Sequence, residues 1–491
     1  MDVTTWTDLL TELAPKLARL RVRAYGSGGA PYHHLALAAL FGADVGAVSA
    51  EQIRAGGLDG ADVLVVPGGG ARAMAGLLAP LGADGAAAVR AWVERGGMYV
   101  GSCAGAFLPA AVGESFWDEN PQARQLCMLN AQLFNRADSE WAGLTSPGVG
   151  TVHVVTERPR HWLARGLPPV FRLVHYNGPM FDAAAGAPPA PARVGGATLS
   201  EMTGVVRFSR ATADFTPGEA FLGPPPDGPT LFESGAAAGA FSAVEGAYGD
   251  GAVVLYGSHP EFGLDTVQVG WDDGVRLFAN ALVRQASRRP DAAAVGAECA
   301  DGGEGAALEP GAVARALRAA QAMAADHAGR FEDLAWQDPG GWAAPGSVAR
   351  FMGLEPPALW RQAALDAAAA SRATAAYLAT LTPPAEPVPG IDVWLTARAP
   401  EEQDYGFVGL VPLLERVGAM LAAARAAMAT SPFALTGPYD ALDRHPYQLG
   451  LSSYLSAAGL AAAGLMAAVA IGRRLGDRAP LPSTRLLATL H

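Results

Sequence analysis

Met98-Tyr99-Val100-Gly101-Ser102-Cys103-Ala104-Gly105-Ala106-Phe107-Leu108 is the stretch whose reading decides the fold. Its apolar opening reads as a buried strand and the small residues after Cys103 open a helix, so the cysteine stands on a sharp strand-to-helix turn, the layout of a nucleophile elbow. Such a turn lifts the thiol above the sheet edge. It also points the free N–H groups and positive end of the next helix at the sulfur, which favours the thiolate. Gly101 and Gly105 leave room where a β-carbon would collide with the returning backbone.

Upstream, Asp62-Val63-Leu64-Val65-Val66 is a β-branched run closed by Pro67-Gly68-Gly69-Gly70, which predicts a buried parallel strand with a glycine loop at its carboxyl end. Between the two lies a helix opened by Asp84 as N-cap, with Val89, Trp92 and Val93 on its apolar face and a stop at Gly96-Gly97. Nearer the start, Leu20 to Tyr25 predicts a first strand, followed by a loop over 26–31, a helix over 34–41 and a strand from Ala43. Strands alternating with helices at these intervals predict an α/β fold, a flavodoxin-like, doubly wound, mostly parallel sheet. In such sheets ligands bind at the carboxyl ends of strands, and both the triple glycine and Cys103 fall there.

Downstream the pattern weakens over 112–150 and then turns to short strands at 152–155, 170–176, 205–208 and 251–257, closed by a helix from Asp272 to Ala286. Residues 287–312, rich in Ala, Gly, Asp and Glu without periodicity, predict a linker. Beyond it strands give way to helical spacing at 313–325, 357–379, 408–430 and 449–475. The expected organisation is a catalytic-type α/β domain over 1–286, the linker, and a mostly α-helical domain over 313–491.

With 491 residues, half of them hydrophobic, the chain can bury more than one core. A net charge of -12 and the absence of any Lys/Arg run argue against nucleic acid as a partner. Lys16 is the single lysine, a bias that matches a GC-rich bacterial genome. Three cysteines give neither a disulfide framework nor paired metal spacing, and a reducing cytoplasm is the expected compartment. The first 21 residues read as an amphipathic helix rather than a signal peptide. The segment 455–471 is mostly Ala and Gly, which predicts a buried helix rather than a membrane span.

A lone cysteine is most simply a small buried residue, but the glycine setting at a strand end favours a nucleophile. Of the nine histidines His259 is the best base. It ends a strand as Cys103 does, Glu261 two residues on points the same way to orient the imidazole, and Pro260 keeps His259 extended. The plainer reading is a structural histidine beside a solvated glutamate. Gly69 and Gly70, with the amide of Ala104, are candidate oxyanion donors. Tyr32 and His33, with His34, follow the first glycine loop, and Tyr176 and Asn177 follow a strand; all are candidate substrate contacts. His153, His161, His175, His327 and His445 show no metal-ligand spacing, and neither metal nor cofactor is expected. Trp336, Trp342, Trp360 and Trp394 read as core or interface anchors.

Pro67-Gly68-Gly69-Gly70, then Gly101-Ser102-Cys103-Ala104-Gly105-Ala106, then His259-Pro260-Glu261 resembles the class I glutamine amidotransferase-like superfamily. It is most similar to the BPL_N-type domain at the N-terminus of fungal-type biotin-protein ligases and in stand-alone bacterial relatives. The resemblance spans residues 20–286 and implies a Cys103–His259–Glu261 triad with the glycine loop and Ala104 as oxyanion donors. Three departures bound it. Glutaminases of the superfamily carry a glutamine four residues after the nucleophile, where this chain has Phe107. Peptidases resembling PfpI carry a glutamate near the first strand end, where it has Gly26-Ser27-Gly28. No Gly-Arg-Gly-Arg signature of biotin adenylation occurs.

Together these features predict a cysteine hydrolase or acyl/amido-transfer enzyme acting on a carbon–nitrogen bond of a small metabolite. The alternative is a non-catalytic amidotransferase-like binding or scaffolding protein whose helical domain docks a partner. That domain is expected to cover the cleft, to form a homo-oligomer or to bind another protein.

Overall fold

The computed structural model describes residues 3–29, 31–68, 73–111, 118, 121–135, 147–182, 193–194, 197–213, 215–221, 227–262, 273–288, 307–335, 357–398, 408–428, 461, 464–465, 467–472 and 474–476. Its centre is a ten-stranded mixed sheet. The strands are β1 (Arg21–Tyr25), β2 (Asp44–Val48), β3 (Val63–Val66), β4 (Met98–Ser102), β5 (Gly148–Thr156), β6 (Val170–Tyr176), β9 (Thr203–Ala211), β10 (Thr216–Pro217), β11 (Phe241–Tyr248) and β12 (Gly251–Tyr256). Between β6 and β9, β7 (Arg193–Val194) and β8 (Ala197–Thr198) form a separate two-stranded pair.

The order β2-β1-β3-β4-β12 is parallel throughout and is the flavodoxin-like half. From β12 the sheet continues antiparallel through β11, β9, β5 and β10, with β6 also on β5. Parallel strands bury both faces, and successive residues supply apolar side chains to each in turn. Val63, Val65, Met98, Val100, Val254 and Tyr256 face one core with Leu37, Phe41, Val275 and Phe278. Leu64, Val66, Tyr99, Val253 and Leu255 face the other with Val89, Trp92 and Val93.

The helix expected to open at Asp84 is the second half of a longer one, Ala73–Glu94, kinked at Gly82 (φ 63°, ψ -178°). Pro80 and Gly82 are why the sequence conceals its first half. Its end is as expected: Gly96 takes φ 110°, and the Gly97 N–H donates back to the Trp92 carbonyl, so β4 starts at once. The closing helix is Val275–Arg288, and Gln285 Nε2 ties it to the carbonyls of Asp62 and Gly96 at the feet of β3 and β4.

After residue 306 the named elements are helices, Pro310–Ala335, Pro357–Thr380, Ile391–Leu395 and Leu410–Met428, with helical residues between 461 and 474 and an isolated antiparallel bridge of Leu308 with Val388. The first begins inside the stretch read as linker, because Pro310 suits a first helical position and the Glu309 carbonyl accepts from Ala312 and Val313. Leu317, Leu378, Leu410, Leu414 and Ile471 join the core that covers the Leu37 and Phe41 side of the sheet. Arg474 adds polar links, donating to Asp44 Oδ1 and the Val45 carbonyl while its guanidinium lies over Trp394. Trp394 is thus a buried anchor, whereas Trp336, Trp342 and the Trp360 side chain lie outside the described residues. Among the described residues no helix is long and apolar enough to cross a membrane.

Candidate active site

Cys103 follows the last residue of β4, and its N–H donates to the Tyr256 carbonyl at 2.9 Å, prolonging the β4–β12 ladder by one bond. Its own backbone then breaks from the strand at φ 48° and ψ -114°. A non-glycine residue held there stores about 1–3 kcal/mol, which the packing around it must over-determine. The glycines act by close approach, not by positive φ. A β-carbon at Gly105 would lie 2.1 Å from the Val66 carbonyl oxygen, and one at Gly101 would lie 2.5 Å from the Gly105 oxygen. The following helix, Ala104–Phe107, is a single turn. That shortness corrects one expectation, since one turn aligns too few peptide dipoles to act as a macrodipole on the sulfur.

His259 and Glu261 sit just past β12. The His259 N–H donates to the Val174 carbonyl at 2.8 Å, which fixes the segment against β6. The imidazole Nδ1 and Glu261 Oε1 are 2.6 Å apart, both side chains are buried, and the Phe262 ring stacks on the imidazole at 4.4 Å. Burial opposes charge on this ring more than any other influence; the Glu261 carboxylate and then Cys103 overcome it, and the imidazole is raised to about 10. Glu261 likewise resists burial through His34 and His259 and is lowered to about 2. The pair is therefore an imidazolium and a carboxylate at neutral pH.

The thiol is close to this pair and 9% exposed. A methyl group on Gly68 would lie 2.7 Å from Cys103 Cβ, 3.0 Å from His259 Cε1 and 3.3 Å from Cys103 Sγ, so only glycine lets this loop backbone approach both residues. The Cys103 S–H donates to the Tyr176 carbonyl at 3.3 Å, and His259 Nε2 is buried without a hydrogen-bond partner among the described residues. The sulfur must turn from that carbonyl to bond to Nε2.

The remaining candidates divide. Tyr176 comes to the site through its carbonyl. Asn177, beside it, takes φ 52° and donates its N–H to the Gly148 carbonyl, and Gly178 packs against the Gly257 carbonyl beneath Cys103. His33 is buried and lies edge-on to Phe262 at 4.9 Å. Tyr32 is buried and accepts from Arg416 Nη1 of the helical region at 3.4 Å. Ala104, at the first position of its helix, has an N–H with no intrahelical acceptor, whereas Gly69 and Gly70 lie outside the described residues.

Three further groups take places at the site: His34, expected only as a substrate contact, and Asn135 and His175, to which the sequence assigned no role there. His34 is buried with Nε2 3.0 Å from Ser102 Oγ and 3.4 Å from Glu261 Oε2. Asn135 accepts from the Met180 N–H and donates to the Gly178 carbonyl, bracing the segment under the cysteine. His175, 3.3 Å from Ser258 Oγ and ringed by Phe208, Phe215 and Phe232, is pushed by burial down to about 3 and is neutral.

No family model matches the chain, and no curated protein matches its sequence. Among solved structures it is similar to a protein described as a GMP synthase component from Thermoplasma acidophilum, at 16% identity and a TM-score of 0.33 over 55% of this chain and 96% of that one. A ThuA-like protein from Bacteroides uniformis aligns at 14% identity and a TM-score of 0.28, over 55% of this chain and 92% of the other. A β-galactosidase from Bacillus circulans sp. alkalophilus aligns at 10% identity and a TM-score of 0.25, over 56% of this chain and 31% of its own.

Proposed function

We propose that the chain is a cysteine-dependent hydrolase or acyl/amido-transfer enzyme of the class I amidotransferase-like type, acting on a carbon–nitrogen bond of a small metabolite. The observation that carries this is the buried 2.6 Å contact of His259 Nδ1 with Glu261 Oε1 beside a cysteine held at positive φ. An ion pair enclosed this way costs desolvation that packing alone does not require. Its position next to a strained thiol gives it a use.

In the proposed cycle Cys103 reacts as the thiolate beside the His259 imidazolium, its own proton released to solvent, and the thiolate adds to the substrate carbonyl carbon. The oxyanion that forms is met by the Ala104 N–H and the glycine loop. Collapse breaks the carbon–nitrogen bond, the departing nitrogen takes the proton from Nε2, and a thioester remains. Water or an amine then adds to the thioester while Nε2 accepts its proton, and collapse expels the Cys103 thiolate beside the restored imidazolium. Phe107 places an apolar ring at the position after the elbow where a glutaminase would have an amide, which directs the reading away from glutamine.

The test is a panel of small amides and amidines, glutamine included, followed for amine or ammonia release and for a mass adduct on Cys103. Turnover by the native protein with none by Cys103→Ala, at unchanged circular dichroism, is the expected result. Turnover that survives in Cys103→Ala overturns the mechanism. Failure of every amide to acylate Cys103 would favour the binding or scaffolding reading.

A further inference from the structure

We propose that His34 is the positioning residue that holds Glu261 against His259, through an Nε2–H shared between the Glu261 carboxylate and the Ser102 hydroxyl. The inference rests on the proposed roles of Cys103, His259 and Glu261 and adds a fourth member to them.

Glu261 is buried at both oxygens. Oε1 receives the His259 Nδ1–H, while Oε2 lacks a well-formed hydrogen bond among the described residues and has His34 Nε2 facing it at 3.4 Å. A buried carboxylate oxygen left without a donor is costly, so the proton on His34 belongs on the nitrogen that faces it. The other tautomer fails twice: it would set the Nε2 lone pair against the Oε2 lone pairs, and it would bury an N–H at Nδ1, which has no acceptor among the described residues. With the proton on Nε2, one N–H points into the gap between Ser102 Oγ at 3.0 Å and Glu261 Oε2 at 3.4 Å.

The ring cannot easily leave this gap. It sits on the fully buried helix Tyr32–Leu40, and Phe278 packs edge-on against it at 5.3 Å. Burial lowers the basicity of His34, against the pull of Glu261, so it meets the carboxylate as a neutral dipole. That matters for the chemistry. A protonated His34 would neutralise Glu261 and take from His259 the charge that keeps its own proton in place, whereas an N–H dipole fixes the carboxylate and leaves its charge directed at His259. Because Ser102 immediately precedes Cys103, the same imidazole ties the acid to the strand that carries the thiol.

Two measurements test this. Long-range proton–nitrogen correlation spectra of the histidine-labelled native protein should show His34 neutral and protonated on Nε2 from pH 7 to 9; a His34 protonated on Nδ1, or charged in that range, overturns the proposal without any variant. The second is the pH profile of Cys103 alkylation by iodoacetamide, read by peptide mass. His34→Leu should move the acid limb up by about one pH unit, about tenfold slower alkylation at a fixed acid pH, and His34→Gln, whose amide N–H reaches the same gap, should stay within about twofold of the native rate. His259→Gln separates the two levels of inference. If it leaves the native profile unchanged, the triad reading itself fails; if it alters the profile while both His34 variants follow the native protein, only the role of His34 fails. Should His34→Leu not fold, the tautomer measurement and His34→Gln decide.

Discussion

Replacing Glu261 by Gln keeps the volume and one acceptor for His259 Nδ1 but removes the charge. In the native protein the two groups touch at 2.6 Å, with charge centres about 4 Å apart, which is worth about 4 kcal/mol at an effective dielectric near 20. That is about three pKa units, enough to bring the His259 imidazole from about 10 to about 7. The direct assay is a titration of the His259 ring carbon by NMR: at pH 8 the native ring is protonated and the Glu261→Gln ring is neutral. Stability should change shape as well. His259, raised on folding, contributes fully below its unfolded value near 6.5 and loses that contribution as pH climbs through about 10. Glu261, lowered on folding, contributes fully above about 4.5 and loses it as pH falls toward about 2. The variant should lack both slopes. A Glu261→Gln protein whose stability falls between pH 6.5 and 10 as steeply as the native one would refute the ion pair and the chemistry built on it.

Three further outcomes are expected. Cys103→Ala should abolish amide turnover while preserving the fold, checked by product release and circular dichroism on the same sample. Gly105→Ala should destabilise the protein by more than the 1–3 kcal/mol of ordinary overpacking, seen as a lowered thermal midpoint, because its β-carbon meets the Val66 carbonyl oxygen at 2.1 Å and backbone cannot swing aside. His175 is buried neutral, lowered to about 3, so native stability should drain as pH falls from 6.5 toward 3 by on the order of 4–5 kcal/mol from this residue. His175→Phe should flatten that part of an acid-denaturation profile, the new ring taking its place among Phe208, Phe215 and Phe232.

The parallel half of the sheet was readable because both-face burial forces continuous apolar runs such as Val63–Val66, and because glycines cluster where strands end. The antiparallel half was only partly so. β11, Phe-Ser-Ala-Val-Glu-Gly-Ala-Tyr, is diluted by Ala and Gly and lacks the β-branched density that marks its neighbours, yet it is held by pairing on both sides. β10 is two residues long and carries no local pattern at all. At the site, Cys103, His259 and Glu261 were legible through turn chemistry and period-two spacing, which are local. His34 stood out only as one of several polar residues after a loop, since its meeting with Ser102 and Glu261 is made by β1 lying beside β3 and β3 beside β4. Contacts of that kind are products of topology, and no window of sequence contains them.

β12 has a consequence for the order in which the protein is made. It is the strand that joins β4 of the parallel half to β11 of the antiparallel half, and it is the last strand of the sheet to leave the ribosome. The carbonyl that receives the Cys103 N–H belongs to it, and His259 and Glu261 follow within five residues of its end. From the addition of Cys103 until Glu261 is added, the growing chain carries Cys103 without its imidazole, its carboxylate or the ladder bond that prolongs β4. Pairing of β12 with β4 and the arrival of His259 and Glu261 beside Cys103 are therefore one event.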